Sequence, residues 1–122
     1  MNDNPSRDLS LERLRDQLRE FAAARDWNQF HSPKNLAIAL SVEAGELLEH
    51  FQWISDQESL ALPDDKLGKI KDEIADVLLY LIRLADLLNV DLIKTADTKI
   101  EVNAQKYPVN KSRGSAKKYT EL

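Results

Sequence analysis

Cysteine is absent from this 122-residue chain, and glycine and proline are scarce, at three and four residues. The first absence excludes disulfide frameworks, thiolate zinc sites, iron–sulfur clusters and cysteine nucleophiles together. The second argues against a loop-rich or collagen-like chain. Long apolar runs are missing too: the longest, Val77 to Ile82, falls far short of the roughly 20 residues that a membrane-spanning helix needs. Residues 1–8 are polar and lead into an amphipathic stretch rather than the apolar core of a signal peptide. A cytoplasmic protein with no membrane partner is therefore expected.

Positive charge is not in excess. Lys and Arg number 17 against 21 Asp and Glu, a net charge of -4, and residues 109–122 carry a local +3, which leaves -7 on the rest. A nucleic-acid polymer is not an expected partner, because duplex binding draws much of its affinity from Lys and Arg on phosphates. A small polyanion is still admissible if a metal mediates. With 43% hydrophobic and 31% charged residues the composition is that of an ordinary globular chain. Its length fits one domain over residues 1–122, with a loose N-terminus at 1–9 and a basic C-terminal tail at 109–122.

Leu11, Leu14, Leu18, Phe21 and Ala22 recur at spacings of three and four, the signature of one helix face, and predict a helix over about Ser10–Arg25. Ser32-Pro33 reads as an N-cap followed by proline at the first helical position, opening a second helix to about Trp53. The polar stretch Ser55–Pro63 reads as a loop. A third helix, capped by Asp64 or Asp65, is expected to reach about Asn89. A fourth runs from its Asp91 cap to about Lys106, where Tyr107-Pro108 disfavours further helix. No stretch alternates with a period of two. The expected class is all-α, a four-helix antiparallel bundle-like subunit with short connections. The segment Ile74–Ile82 is apolar all round except for Asp76 and the Tyr80 hydroxyl, as in helices buried on every side. A helix of so small a unit normally keeps one wet face, so assembly into a homo-oligomer is expected.

Glu43 and Glu46 lie three residues apart on the second helix, and Glu73 and Asp76 three apart on the third. Such pairs share a helix side, with Cβ atoms roughly 5–6 Å apart. Both are set among apolar residues, so the two faces are expected to meet. Four ionised carboxylates about 6 Å apart, at an effective dielectric near 20, repel by roughly 2.8 kcal/mol per pair, on the order of 15 kcal/mol in all. That upper bound matches the whole stability of a domain. The cluster therefore asks for a cation, and all-oxygen ligands select hard Mg²⁺, with Mn²⁺ as the substitute, over zinc. Asp76, placed inside the hydrophobic stretch, is expected to be buried, where an unpaired carboxylate is costly. A ferritin-like di-iron site is excluded, since neither His31 nor His50 follows a Glu by three residues. Phosphate loops of the Gly-x-x-x-x-Gly-Lys type are also absent.

Taken with Arg25-Asp26-Trp27-Asn28-Gln29-Phe30-His31, the run Glu43 to Trp53, Glu73 through Tyr80 and the ending Lys117 to Leu122, these residues resemble the MazG-like all-α nucleoside triphosphate pyrophosphohydrolases. Within that superfamily they are similar to the dCTP pyrophosphatase branch, over about residues 11–122. The resemblance implies that Glu43, Glu46, Glu73 and Asp76 are the catalytic Mg²⁺ ligands. It further implies that a nucleoside triphosphate is cleaved between the α- and β-phosphorus to the monophosphate and pyrophosphate, with dCTP or a modified dCTP as substrate. Trp27, Asn28, Gln29, Phe30, His31 and Trp53 match the base and sugar pocket, with Tyr80 one turn beyond Asp76. Lys99 and Asn103, a turn apart on the fourth helix, are candidate phosphate contacts, and a homodimer or homotetramer is expected. One departure stands: the dCTP-specific animal members have a histidine where this chain has Leu18, which cannot donate to a cytosine edge. The competing readings are a non-enzymatic helical adaptor holding a structural cation, and phosphoribosyl-ATP hydrolysis, which a two-tryptophan base pocket does not favour.

Overall fold

The structure, a computed structural model, describes residues 9–122; most of the loose N-terminus expected at 1–9 lies outside these. Every regular element among the described residues is helical: α1 (Leu11–Ala24), α2 (Pro33–Glu49), α3 (Asp56–Ser59), α4 (Asp64–Leu87), α5 (Leu92–Lys106), α6 (Val109–Ser112) and a 3₁₀ turn at Tyr119–Glu121. The all-α class expected from the sequence holds, and α1, α2, α4 and α5 are the four helices that periodicity and caps marked out. None of the described helices is long and apolar enough to cross a membrane.

The caps explain most boundaries. The hydroxyls of Ser10 and Ser32 and the Asp91 carboxylate each accept from a backbone N–H three residues on, from Arg13, Asn35 and Lys94, satisfying donors that the first helical turn leaves open. Three expectations are corrected. Helix α2 stops at Glu49 rather than Trp53, because residues 50–53 pass into turns closed by Phe51 N and Gln52 N on the Leu48 carbonyl. Helix α4 has Pro63 at its cap, so Asp64 and Asp65 are first-turn residues that face the helix dipole instead of capping it. The expected loop at 55–63 contains α3, held by a reciprocal capping box between Ser55 and Glu58.

The chain divides into two compact units, one ending at Asn89 and one spanning Val90–Leu122. In the first, α4 is the central element and both α2 and α1 pack against it. Its core is Ala22 from α1, Leu36 from α2, and Ile70, Ile82 and Ala85 from α4, each at most 6% exposed. The second unit is α5 followed by a turn, with Tyr107 and Tyr119 edge-to-face at 6.0 Å and Lys106 Nζ 4.8 Å above the Tyr119 ring. The all-round apolar segment of α4 is only partly enclosed by its own chain. Ile74, Leu78 and Leu81 are 53%, 39% and 38% exposed, since the two helices packed on α4 cover only part of its circumference.

Candidate active site

The loop joining α1 to α2 is built with little freedom. Helix α1 ends in a Schellman motif: Trp27 N donates to the Ala22 carbonyl at 2.9 Å and Asp26 N to Ala23 at 3.1 Å. Asp26 occupies the left-handed position with φ 54°, a conformation that Asp adopts more readily than most side chains. Two further turns follow, Phe30 N to Trp27 O and His31 N to Asn28 O, and Asn35 Nδ2 ties the Phe30 carbonyl to α2. Trp27 stands between Phe21, at 5.6 Å, and His31, at 6.3 Å, in edge-to-face contacts. Trp27 as a whole keeps 43% of its surface exposed.

Beneath this loop lies a residue that the sequence reading passed over. Arg83 of α4 is 7% exposed. Its Nη2 donates to Asn28 Oδ1 at 2.6 Å, its Nε donates to His31 Nδ1 at 3.2 Å, and its Nη1 lies 3.6 Å from Asp86. Burial, and then the Arg83 charge, hold the His31 pKa below its ordinary value, so the ring is neutral near pH 7. The signal in the sequence was positional. Arg83 lies seven residues after Asp76, two helical turns, and so on the carboxylate face of α4.

Where α2 meets α4, ligand oxygens of Glu43, Glu73 and Asp76 lie within 4.8 Å of one another. Glu43 Oε2 and Glu73 Oε2 are buried, and neither has a hydrogen-bond partner among the described residues. Such orphaned atoms are costly. The Glu43 pKa is pushed up to about 7 by desolvation first, then by the neighbouring Glu73 and Glu46 carboxyls and the charge of Asp76. Three carboxylates with two unpartnered buried oxygens are a donor set that fits a hard divalent cation. Two details differ from expectation. Glu46 neighbours Glu43 but falls outside the mutual cluster. Asp76 is exposed rather than buried, since the packing of α2 on α4 does not cover it.

The remaining candidates are placed as follows. Trp53 is 87% exposed, which removes interior packing as its role in this chain; Phe30 is 59% exposed. The Gln29 amide is engaged with the Asp26 carbonyl and carboxylate, both at 3.0 Å. Tyr80 is half-buried on α4, one turn past Asp76. Lys99 and Asn103 are exposed on α5, in the second unit.

Against known proteins, a sequence model of the MazG-like family matches residues 38–122. The chain is 50% identical over 115 residues to dCTP pyrophosphatase 1 of Mus musculus, covering 93% of this chain and 68% of that protein. To dCTP pyrophosphatase 1 of Homo sapiens it is 44% identical over 115 residues, with the same two shares covered. The fold is similar to the solved structure of a pyrophosphatase from Archaeoglobus fulgidus, with a TM-score of 0.77 and 43% sequence identity over 84% of this chain and 95% of that one.

Proposed function

This chain belongs to the MazG-like family and is a nucleoside triphosphate pyrophosphatase; from that premise we propose that it hydrolyses dCTP or a modified dCTP, with Mg²⁺ as its metal. The observation that carries the reading is the cluster of Glu43, Glu73 and Asp76, with two buried oxygens left without partners. These three residues would hold the ion. When bound, a divalent cation there would supply charge neutralisation for the leaving pyrophosphate and acidify the attacking water.

The protein's own groups supply the rest. Water oxygen bonds to the α-phosphorus, and the bond from that phosphorus to the α–β bridging oxygen breaks, giving the monophosphate and pyrophosphate. Glu46, beside Glu43 but outside the cluster, is the carboxylate we assign to take the water's proton at one of its oxygens. Trp27 and the highly exposed Trp53 offer indole faces on which a base stacks, worth about 1–3 kcal/mol each and tolerant of base identity. Lys99 and Asn103, exposed one turn apart on α5, carry donors suited to phosphate. Ile74, Leu78 and Leu81 follow one another at i, i+4 and i+7 and are exposed, which supports a homodimer or homotetramer covering that stripe. The nucleotide pool it would act on is cytoplasmic.

³¹P NMR of the protein with Mg²⁺ and a panel of canonical and modified deoxynucleoside triphosphates tests this. The expected products are monophosphate and pyrophosphate, fastest from cytosine nucleotides. Orthophosphate as the first product would contradict the reaction, and equal rates across the panel would contradict the substrate.

A further inference from the structure

Arginine has donors only. The contact from Arg83 Nε to His31 Nδ1 therefore makes that ring nitrogen the acceptor, and in a neutral imidazole the proton must then sit on Nε2. The contact from Arg83 Nη2 to Asn28 fixes the second group in the same way, because it takes the carbonyl oxygen and leaves the amide NH₂ turned away from the arginine. Among the described residues, no hydrogen bond engages His31 Nε2 or Asn28 Nδ2. One buried guanidinium thus sets the polarity of both side chains. The loop beside Trp27 offers N–H donors and no side-chain acceptor from these two positions.

We propose that Arg83 is a positioning residue for specificity, which locks Asn28 and His31 as donors so that the loop selects a base with adjacent acceptors. The inference rests on the nucleotide reading above and deepens it. Among pyrimidines, cytosine presents O2 and N3 as two neighbouring acceptors, whereas uracil and thymine carry an N–H at N3. The His31 ring centroid is 6.3 Å from that of the partly exposed Trp27 indole, which puts the imidazole within reach of the edge of a base stacked there. Against cytosine both donors are used. Against uracil one of them meets another donor, leaving two polar groups unpaired, and sites built on hydrogen bonds reject such analogues strongly.

The test has an arm that does not depend on turnover. Long-range ¹H–¹⁵N spectra of the imidazoles should show His31 in the Nε2–H form between pH 7 and 8, and Arg83→Gln should shift it toward a tautomeric mixture. An Nδ1–H ring in the unmodified protein would overturn the proposal whatever the enzyme's substrate. The kinetic arm compares kcat/KM for dCTP and dUTP, which differ at N3 and at the neighbouring 4-position of the base. Arg83→Gln is expected to cut the dCTP:dUTP ratio by about tenfold, the size of one lost hydrogen bond, with the loss mainly in KM. Asn28→Asp retains an acceptor for Arg83, so it preserves the fold while replacing the donor by acceptors, and it should lower the same ratio at least as far. A uniform fall for both nucleotides, in either variant, would assign Arg83 a structural role only. An Arg83→Gln protein that does not fold leaves Asn28→Asp as the deciding variant.

Discussion

Arg19 of α1 grips Asp86 of α4 with two parallel hydrogen bonds, Nε to Oδ2 at 2.7 Å and Nη2 to Oδ1 at 2.5 Å, across 67 residues of sequence. The Asp86 carboxylate is nearly covered, at 10% exposure, and also faces the buried Arg83 guanidinium. It therefore serves α1 packing and the Asn28–His31 loop at once. Asp86→Ala leaves Arg83 without its counter-charge in a covered place. We expect a loss of about 2 kcal/mol in urea unfolding, together with a weaker preference between dCTP and dUTP. A variant as stable as the parent would refute this coupling.

Acid should act on the same network. The His31 pKa is lowered by burial and then by the Arg83 charge, so below its unfolded value of about 6.5 the unfolded chain binds the proton and the folded one resists it. Stability from His31 is present above that pH and is lost as pH falls toward the folded pKa. Asp86, lowered chiefly by its hydrogen bonds to Arg19, contributes stability above its unfolded value, which is lost as pH falls further through its folded value. Glu43 works in the opposite sense: its raised pKa, about 7, makes its contribution fade as pH climbs toward that value. Melting curves of the parent and His31→Gln between pH 8 and 5 cancel the Glu43 part. The parent should lose more stability than the variant as pH falls from 6.5; parallel curves would contradict the assignment.

Trp53 contributes little to the fold of this chain at 87% exposure. Trp53→Ala should leave stability within about 0.5 kcal/mol, as exposed substitutions generally do. It should raise KM for the nucleotide by roughly tenfold, as expected for one lost stacking face. A large drop in melting temperature with KM unchanged would return this tryptophan to a packing role, at a surface shared with another copy.

The helices were legible because their signals are local. Ser32 and Asp91 sit at the caps where the sequence places them, and Pro33 and Pro108 mark the boundaries expected of proline. Helix α3 was not legible, since a single turn held by Ser55 and Glu58 has no apolar period. For the site, spacing on each helix put Glu43 with Glu46 and Glu73 with Asp76, but only packing decides which oxygens meet. Facing α4, α2 brings Glu43 to Glu73 and Asp76 and leaves Glu46 to one side. Burial of Asp76 was misjudged because apolar neighbours along a helix do not cover a residue; the facing helix does. Arg83 escaped notice for a related reason. A lone arginine between Ile82 and Leu84 shows its role only when Asn28 and His31, more than 50 residues earlier, fold onto it.

The central claim, that these carboxylates form one divalent-cation site, is tested most directly by Mn²⁺ titration followed by EPR on the parent and on Glu73→Gln at pH 8. The parent should deplete the free Mn²⁺ signal saturably and be displaced by Mg²⁺. Glu73→Gln should fail to do so while keeping its helical circular dichroism and, without metal, a melting temperature no lower than the parent's, because one repelling charge is gone. Equal Mn²⁺ binding by the two proteins would contradict the account.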